Sequence, residues 1–206
     1  GAVTATITET DMDTLDDLTT TGGNFTITVA DASVDTNKLS VLDGDTTGTI
    51  TVTSTTLTGD LNDDTLAADN VNLTLDSSGI SGLGSIGVTS DQTSNTVAEV
   101  NTVSAKTTGV VTASITETTL TALADINETG NAYTITVGDT SVDAAALNVL
   151  NGKTTGVVTV NATTITGALS DIKTLYDANS DETVAGLGNE SITISDTGTV
   201  SASTIN

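Results

Sequence analysis

Residues 133–156 read YTITVGDTSVDAAALNVLNGKTTG, and residues 25–48 read FTITVADASVDTNKLSVLDGDTTG. The two stretches stand 108 positions apart and share one plan. In Tyr133–Val137 apolar residues alternate with Thr, the period-two signature of a half-buried strand. SVDAAALNVLNG then reads as a short helix. Ser141 is the expected N-cap, and Asp143 suits the positive helix start. Val142, Ala145, Ala146, Val149 and Leu150 recur on one helical face. Gly152 is placed to end the helix in a left-handed conformation. Further on, Thr166 is expected to open a second helix, GALSDIKTLYDA, with Leu169, Ile172 and Tyr176 on one side. Helices of two or three turns are marginal alone and need neighbouring units to cover them.

Outward from this unit the repeat takes in the whole chain. Residues 1–63 align with 109–171 without a gap, and 35 of the 63 positions are identical. The chain therefore divides into copy one, 1–108, and a truncated copy two, 109–206, or runs as one continuous solenoid. A shorter period lies inside. Thr-Thr-Gly recurs at 46–48, 107–109 and 154–156. Strand-like runs start near Val3, Phe25, Thr49, Val71, Gly87, Val110, Tyr133 and Val157. Their usual spacing, about 22–24 residues, is the size of a solenoid coil. The expected fold is mainly β with short helices, a solenoid-like stack of strand–turn–helix units. The alternative is two tandem β-sandwich domains of immunoglobulin-like size. Helix signals, the short inner period and the absence of Trp count against the sandwich. Copy one ends in Lys106-Thr107-Thr108, and copy two stops at Asn206 before any counterpart of that tripeptide. A parent polypeptide continuing on both sides is the expectation.

Composition removes many functions. The 206 residues contain no His, Cys, Pro, Arg or Trp, and 48 are Thr. Without His and Cys, the usual zinc sites, thiolate nucleophiles and serine–histidine catalysis are excluded. Twenty-seven acidic residues against four Lys leave a formal charge of −23, which repels nucleic acid and anionic lipid. Hydrophobic residues are 36% and mean hydropathy is slightly positive, so the chain is read as folded rather than disordered. No run of 18 apolar residues is present, so no membrane insertion is expected.

The acidic residues are the candidate metal ligands. Asp60, Asn62, Asp63 and Asp64 form a dense cluster, and Asp11 and Asp13 frame Met12. Calcium takes six to eight oxygens from such groups, so calcium is the cofactor to test. No EF-hand spacing supports it, and Asp11 and Asp13 become Thr119 and Thr121 in copy two. Asp31 and Asp35 recur as Asp139 and Asp143, which suits turns and helix caps. Lys106 and Lys153 share the motif Lys-Thr-Thr-Gly. They are expected to be solvent-facing turn residues rather than isopeptide partners of an Asn. Thr-x-Thr triplets could rank water for ice binding, but coil length varies, so strand-face Thr is the simpler account. Paired carboxylates could hydrolyse glycosides, yet only three aromatics exist to hold a sugar. No catalytic residue is assigned, and no enzyme activity is expected.

Units such as TGVVTASITET, TITGALSDIKTLYDAN, VAGLGNESITISDTG and LNVLNGKTTGVV resemble the tandem repeats of very large secreted bacterial proteins of cyanobacteria and marine bacteria. The resemblance runs over essentially the whole chain. It implies a secreted or cell-surface role in an adhesin, surface layer or extracellular fibre, and it implies no catalytic residues. Such repeats often lie beside haemolysin-type calcium-binding regions, whose nonapeptide is absent here. The expected partners are neighbouring repeats or identical subunits in a polymer. A calcium-dependent adhesive module that binds a surface glycan is the alternative, its site expected within Asp64–Thr108.

Overall fold

The computed structural model describes residues 3–19, 22–62 and 70–198. Its contacts separate two compact units, Gly1–Ala113 and Ser114–Asn206.

Unit one begins with strand β1 (Thr4–Thr6), helix α1 (Met12–Leu15), β2 (Asn24–Val29), β3 (Ser33–Asp35) and α2 (Thr36–Asp45). It continues through β4 (Ile50–Val52), β5 (Thr56–Gly59), α3 (Val71–Leu75), β6 (Ile80–Ser81), β7 (Gly87–Ser90), α4 (Val97–Ser104) and β8 (Val111–Ser114). One ladder runs β1-β2-β4-β6 and a second runs β3-β5-β7-β8, parallel at every step. Unit two holds α5 (Leu120–Leu123), β9 (Ala132–Val137), β10 (Ser141–Asp143), α6 (Ala144–Asn151), β11 (Val158–Val160) and β12 (Thr164–Gly167). It ends with α7 (Leu169–Ser180), β13 (Val184–Ala185) and β14 (Ser191–Ile194). Its ladders, β9-β11-β13 and β10-β12-β14, are also parallel.

The chain is thus a mixed α/β structure of parallel sheets and short helices, with more helix than a mainly-β reading expects. Parallel pairing argues against tandem sandwiches, whose sheets are antiparallel. A parallel strand cannot be reached by a hairpin, so each pairing needs a crossover, and the helices supply most of them.

Register explains the core. Phe25, Ile27 and Val29 point inward on β2, as Tyr133, Ile135 and Val137 do on β9. Pairing then stacks like on like. Val34, Leu57, Val88 and Val111 form one buried file, and Ile27, Ile50 and Ile80 another. On the outer side Thr28 pairs with Thr51, and Thr51 with Ser81. A core of small branched side chains needs no Trp when identical positions lie over one another.

The expected period holds at several steps: Ile27 to Ile50, Val88 to Val111 and Ile135 to Val158 are each 23 residues. Elsewhere it stretches, reaching 30 residues from Ile50 to Ile80 and 31 from Leu57 to Val88. The added length lies between β5 and β6.

Several local expectations are corrected. The units carry two strands rather than one, because three- and four-residue stretches such as Ser33–Asp35 are too short to show periodicity. Ser141 does not cap the helix. It belongs to β10, paired with Thr164, and the cap is Asp143, whose carboxylate accepts the Ala146 N–H at 3.0 Å. The start therefore moves along the chain, and the buried stripe becomes Ala144, Leu147 and Leu150, with Val149 62% exposed. Gly152 is right-handed at φ −70°, its N–H closing on Asn148 O. The run at Val71 is not a strand but α3, capped by Asn70, whose side chain accepts the Leu73 N–H. Nor does Thr166 open a helix: it lies in β12, and α7 starts after Ala168. Ile172 and Leu175 form its buried side, and Tyr176 is half-buried.

Candidate functional site

The chemistry of this chain is concentrated where one stretch of backbone meets the stretch 21–24 residues before it. Two of the three Thr-Thr-Gly motifs, those of Thr46 and Thr154, build that meeting in the same way, and the third, at Thr107, shares part of it. Thr154 is 8% exposed. Its hydroxyl oxygen accepts the backbone N–H of Tyr133 at 2.8 Å and of Gly156 at 2.9 Å. Its hydroxyl hydrogen faces the carbonyls of Tyr133 and Asn131, at 2.9 and 3.2 Å. Thr46 repeats the arrangement on Phe25, Gly23 and Gly48. Thr107 donates to Ile86 O at 2.6 Å and accepts from Gly109 N. The second Thr of each motif bonds the earlier backbone twice. Thr47, Thr108 and Thr155 each give their N–H and hydroxyl to the carbonyl of Gly23, Gly84 and Asn131 respectively.

The glycine of the motif is required by close approach. A Cβ on Gly156 would lie 2.3 Å from Tyr133 O, on Gly48 2.0 Å from Phe25 O, and on Gly109 2.1 Å from Ile86 O. Only Gly lets the two backbones come this near. Sequence reading marks this motif as a repeat but assigns it no role. The signal available to find one was the fixed spacing of Thr46 and Thr154, 21 residues after Phe25 and Tyr133.

Other hydroxyls extend the clasp. Thr53, Thr55, Thr58, Thr163 and Thr166 donate to Val29 O, Ala32 O, Val34 O, Thr140 O and Val142 O. All lie 23 or 24 residues along the chain from their acceptors. The abundance of Thr thus has a structural use: a β-favouring residue that also bonds the backbone 23 or 24 residues before it.

The Lys-Thr-Thr-Gly lysines are corrected by the same geometry. Lys153 Nζ donates to Ala124 O at 2.8 Å and to Ile126 O, covering carbonyls at and beyond the end of α5. Such carbonyls have no intrahelical partner, and a cation there is favourable. Lys106 lies against the Asn72 side-chain oxygen and pairs with Asp76, just past α3. Both lysines hold the end of an earlier helix rather than pointing freely to solvent.

Recurrent aspartates hold helix starts. Asp31 accepts the Met12 N–H at 2.8 Å and Asp139 the Leu120 N–H at 2.6 Å, 19 residues back in each case. Asp35 caps α2, and Asp196 accepts the Leu169 N–H at the start of α7. Tyr176 donates to Glu190 at 2.7 Å, and Glu190 also accepts the Gly188 N–H. Burial, then the bond to Glu190 and its charge, push the Tyr176 hydroxyl up to about 12. Burial raises Glu190, but the bonds from Gly188 and Tyr176 outweigh it and hold the carboxyl below its ordinary range.

The proposed calcium ligands are distributed as follows. Asp11 caps α1, accepting Thr14 N. Asp13 pairs with Lys38. Asp60 accepts the N–H of Asn62 at 2.8 Å and its side-chain amide. Asp63 and Asp64 lie outside the described residues. Among the described residues no three acidic groups come together in a way that would hold a metal ion.

A hollow of about 270 Å3 in unit two is lined by Leu120, Ala124, Ala146, Val149, Leu150 and Lys153. Its one charged group is already bonded to the Ala124 and Ile126 carbonyls. It therefore lacks the convergent polar groups that orient a ligand. No helix among the described residues is long and apolar enough to cross a membrane. No protein-family model, curated protein or solved structure matches the chain.

Proposed function

We propose that this protein is a structural repeat element of a secreted or cell-surface fibre, surface layer or adhesin stalk. In this reading its coils stack as a solenoid, and its work is mechanical: stiffness along the stack and association with further repeats or identical subunits. The observation that carries the reading is the Thr-Thr-Gly clasp, which joins successive stretches of backbone three times, each with the second Thr bonding one earlier carbonyl twice and the Gly lying against the earlier backbone. The parallel, like-on-like register supports it, because each unit's backbone and apolar file are completed by a neighbour. The polar groups described above are spent on helix ends and coil-to-coil bonds, the economy of a scaffold. A charge of −23 would keep stacks apart sideways while leaving their ends free to meet.

The test is negative-stain electron microscopy of the purified 206-residue chain, in calcium and then in chelator. Uniform filaments are the expected result, and their loss in chelator would make the acidic clusters ligands. Discrete particles in both conditions would overturn the self-associating fibre.

A further inference from the structure

Resting on that structural reading, we propose where two copies join: the edge of β14 that no described strand covers receives β1 of a second copy. The register places Val3 opposite Ile192 and Thr4 opposite Thr193.

The argument comes from a junction that unit one already contains. β8 pairs with β7, Val111 opposite Val88 and Thr112 opposite Thr89. Val111 and Thr112 are the 108-residue counterparts of Val3 and Thr4 on β1. β7 in turn has a counterpart in β14. β5 and β12 stand at the 108-residue offset, and each carries the next strand in the same register: Leu57 faces Val88, and Ile165 faces Ile192. The incoming backbone bonds agree, Gly87 N to Thr55 O and Ser191 N to Thr163 O. The chain thus holds one example of a β1-type strand lying on a β7-type edge, and carries a second edge and a second strand of the same two kinds.

Exposure separates the filled junction from the open one. Val88 and Val111 are 1% and 0% exposed. Their counterparts Ile192 and Val3 are 42% and 57% exposed, and every residue of β14 and β1 is exposed. Strand polarity also fits. Val3 O accepts Asn24 N and Ile7 N reaches Thr26 O, so alternate residues of β1 face β2 and Thr4 faces away. Val88 N reaches Val110 O toward β8, so its counterpart Ile192 turns its N–H to the open side. An edge of this kind is a template for strand addition. Because β1 and β14 are different surfaces, the contact is head-to-tail, and each copy that joins presents the same strand and edge again.

Cysteine cross-linking tests the register on a chain with no Cys of its own. Thr4→Cys is mixed with Thr193→Cys under mild oxidant, and Thr6→Cys with Thr193→Cys serves as the out-of-register control. Thr89→Cys/Thr112→Cys within one chain reports the template junction, whose spacing suits a disulfide. Preferential dimer from the Thr4→Cys mixture, about tenfold over the control, is expected from the steep distance dependence of disulfide closure. Ile192→Lys should abolish filaments while leaving the circular dichroism of the chain unchanged. Closure of the internal pair without preferential cross-linking between copies overturns the junction. Filaments that persist in Ile192→Lys overturn it too, but leave the structural reading standing. Discrete particles of the unmodified chain, with no cross-link, overturn both.

Discussion

The hydroxyl of Thr154 accepts the backbone N–H of Tyr133 at 2.8 Å, across 21 residues of chain. The contact is buried, and Thr46 makes the same one to Phe25 at 2.9 Å. Neither partner has water to fall back on, so the bond matters more than a surface hydrogen bond would.

Thr154→Val keeps the shape of the side chain and removes the acceptor. The N–H groups of Tyr133 and Gly156 both lose it. The expected cost is about 2–3 kcal/mol, the desolvation penalty of buried unpaired donors. Urea unfolding followed by circular dichroism measures it. A loss below about 0.5 kcal/mol, the range of an ordinary surface substitution, would mean that the clasp is not a stabilising element.

Gly156→Ala tests the close approach. The added Cβ meets a backbone carbonyl, Tyr133 O, at 2.3 Å, and backbone cannot swing aside as a side-chain end can. The expected loss is at least about 2 kcal/mol, the scale of overpacking in a tight site. Gly44→Ala is the control, since nothing lies within 4 Å of its added Cβ. Equal unfolding midpoints for the two variants would contradict the geometry.

Asp139→Ala removes the acceptor for the Leu120 N–H at the start of α5. A loss of about 1 kcal/mol is expected, as for an N-cap. Hydrogen exchange should quicken at residues 120–123, because beside Asp139 only the 3.4 Å Thr119 cap on Ala122 N bonds the first turn of the four-residue α5 through a side chain. Unchanged exchange there would separate Asp139 from the helix.

Tyr176 gives an alkaline signature. Its folded-state value, about 12, lies above the ordinary 10.0, so the folded state holds the proton more tightly. That stabilisation is whole below pH 10 and is lost as pH rises toward 12. Stability of the protein should fall across that window, and the part due to Tyr176 should be absent in Tyr176→Phe. Identical alkaline curves for the two proteins would rule out the linkage.

Much of the plan was legible before any coordinates. The offset of 108 residues, the Thr-alternating strand at Tyr133–Val137 and the helix after it are written in period and repetition. The capping role of Asp143 was partly legible, since Asp is favoured at a helix start. The engagements of the acidic residues were not legible. Asp11, Asp13 and Asp60 are close in sequence to other acids, yet each is engaged with a cap, a Lys or a neighbouring Asn. Charge density along a chain does not say which oxygens converge in space.

By itself, the sequence determined the repeat, the alternation, the lack of His and Cys and the need for neighbours to cover small units, because these follow from residue type and local spacing. The tertiary structure alone decided that Ser141 is a strand residue paired with Thr164, and that Val71 starts a helix. It alone revealed that Thr46, Thr107 and Thr154 are clasps and that Ile192 stands open where Val88 is covered. Apart from the helix at Val71, whose cap Asn70 is its neighbour, these share one physical reason. Each depends on a partner some 20 or more residues away, and the register that brings the partner opposite is set by packing between strands, which no local pattern encodes.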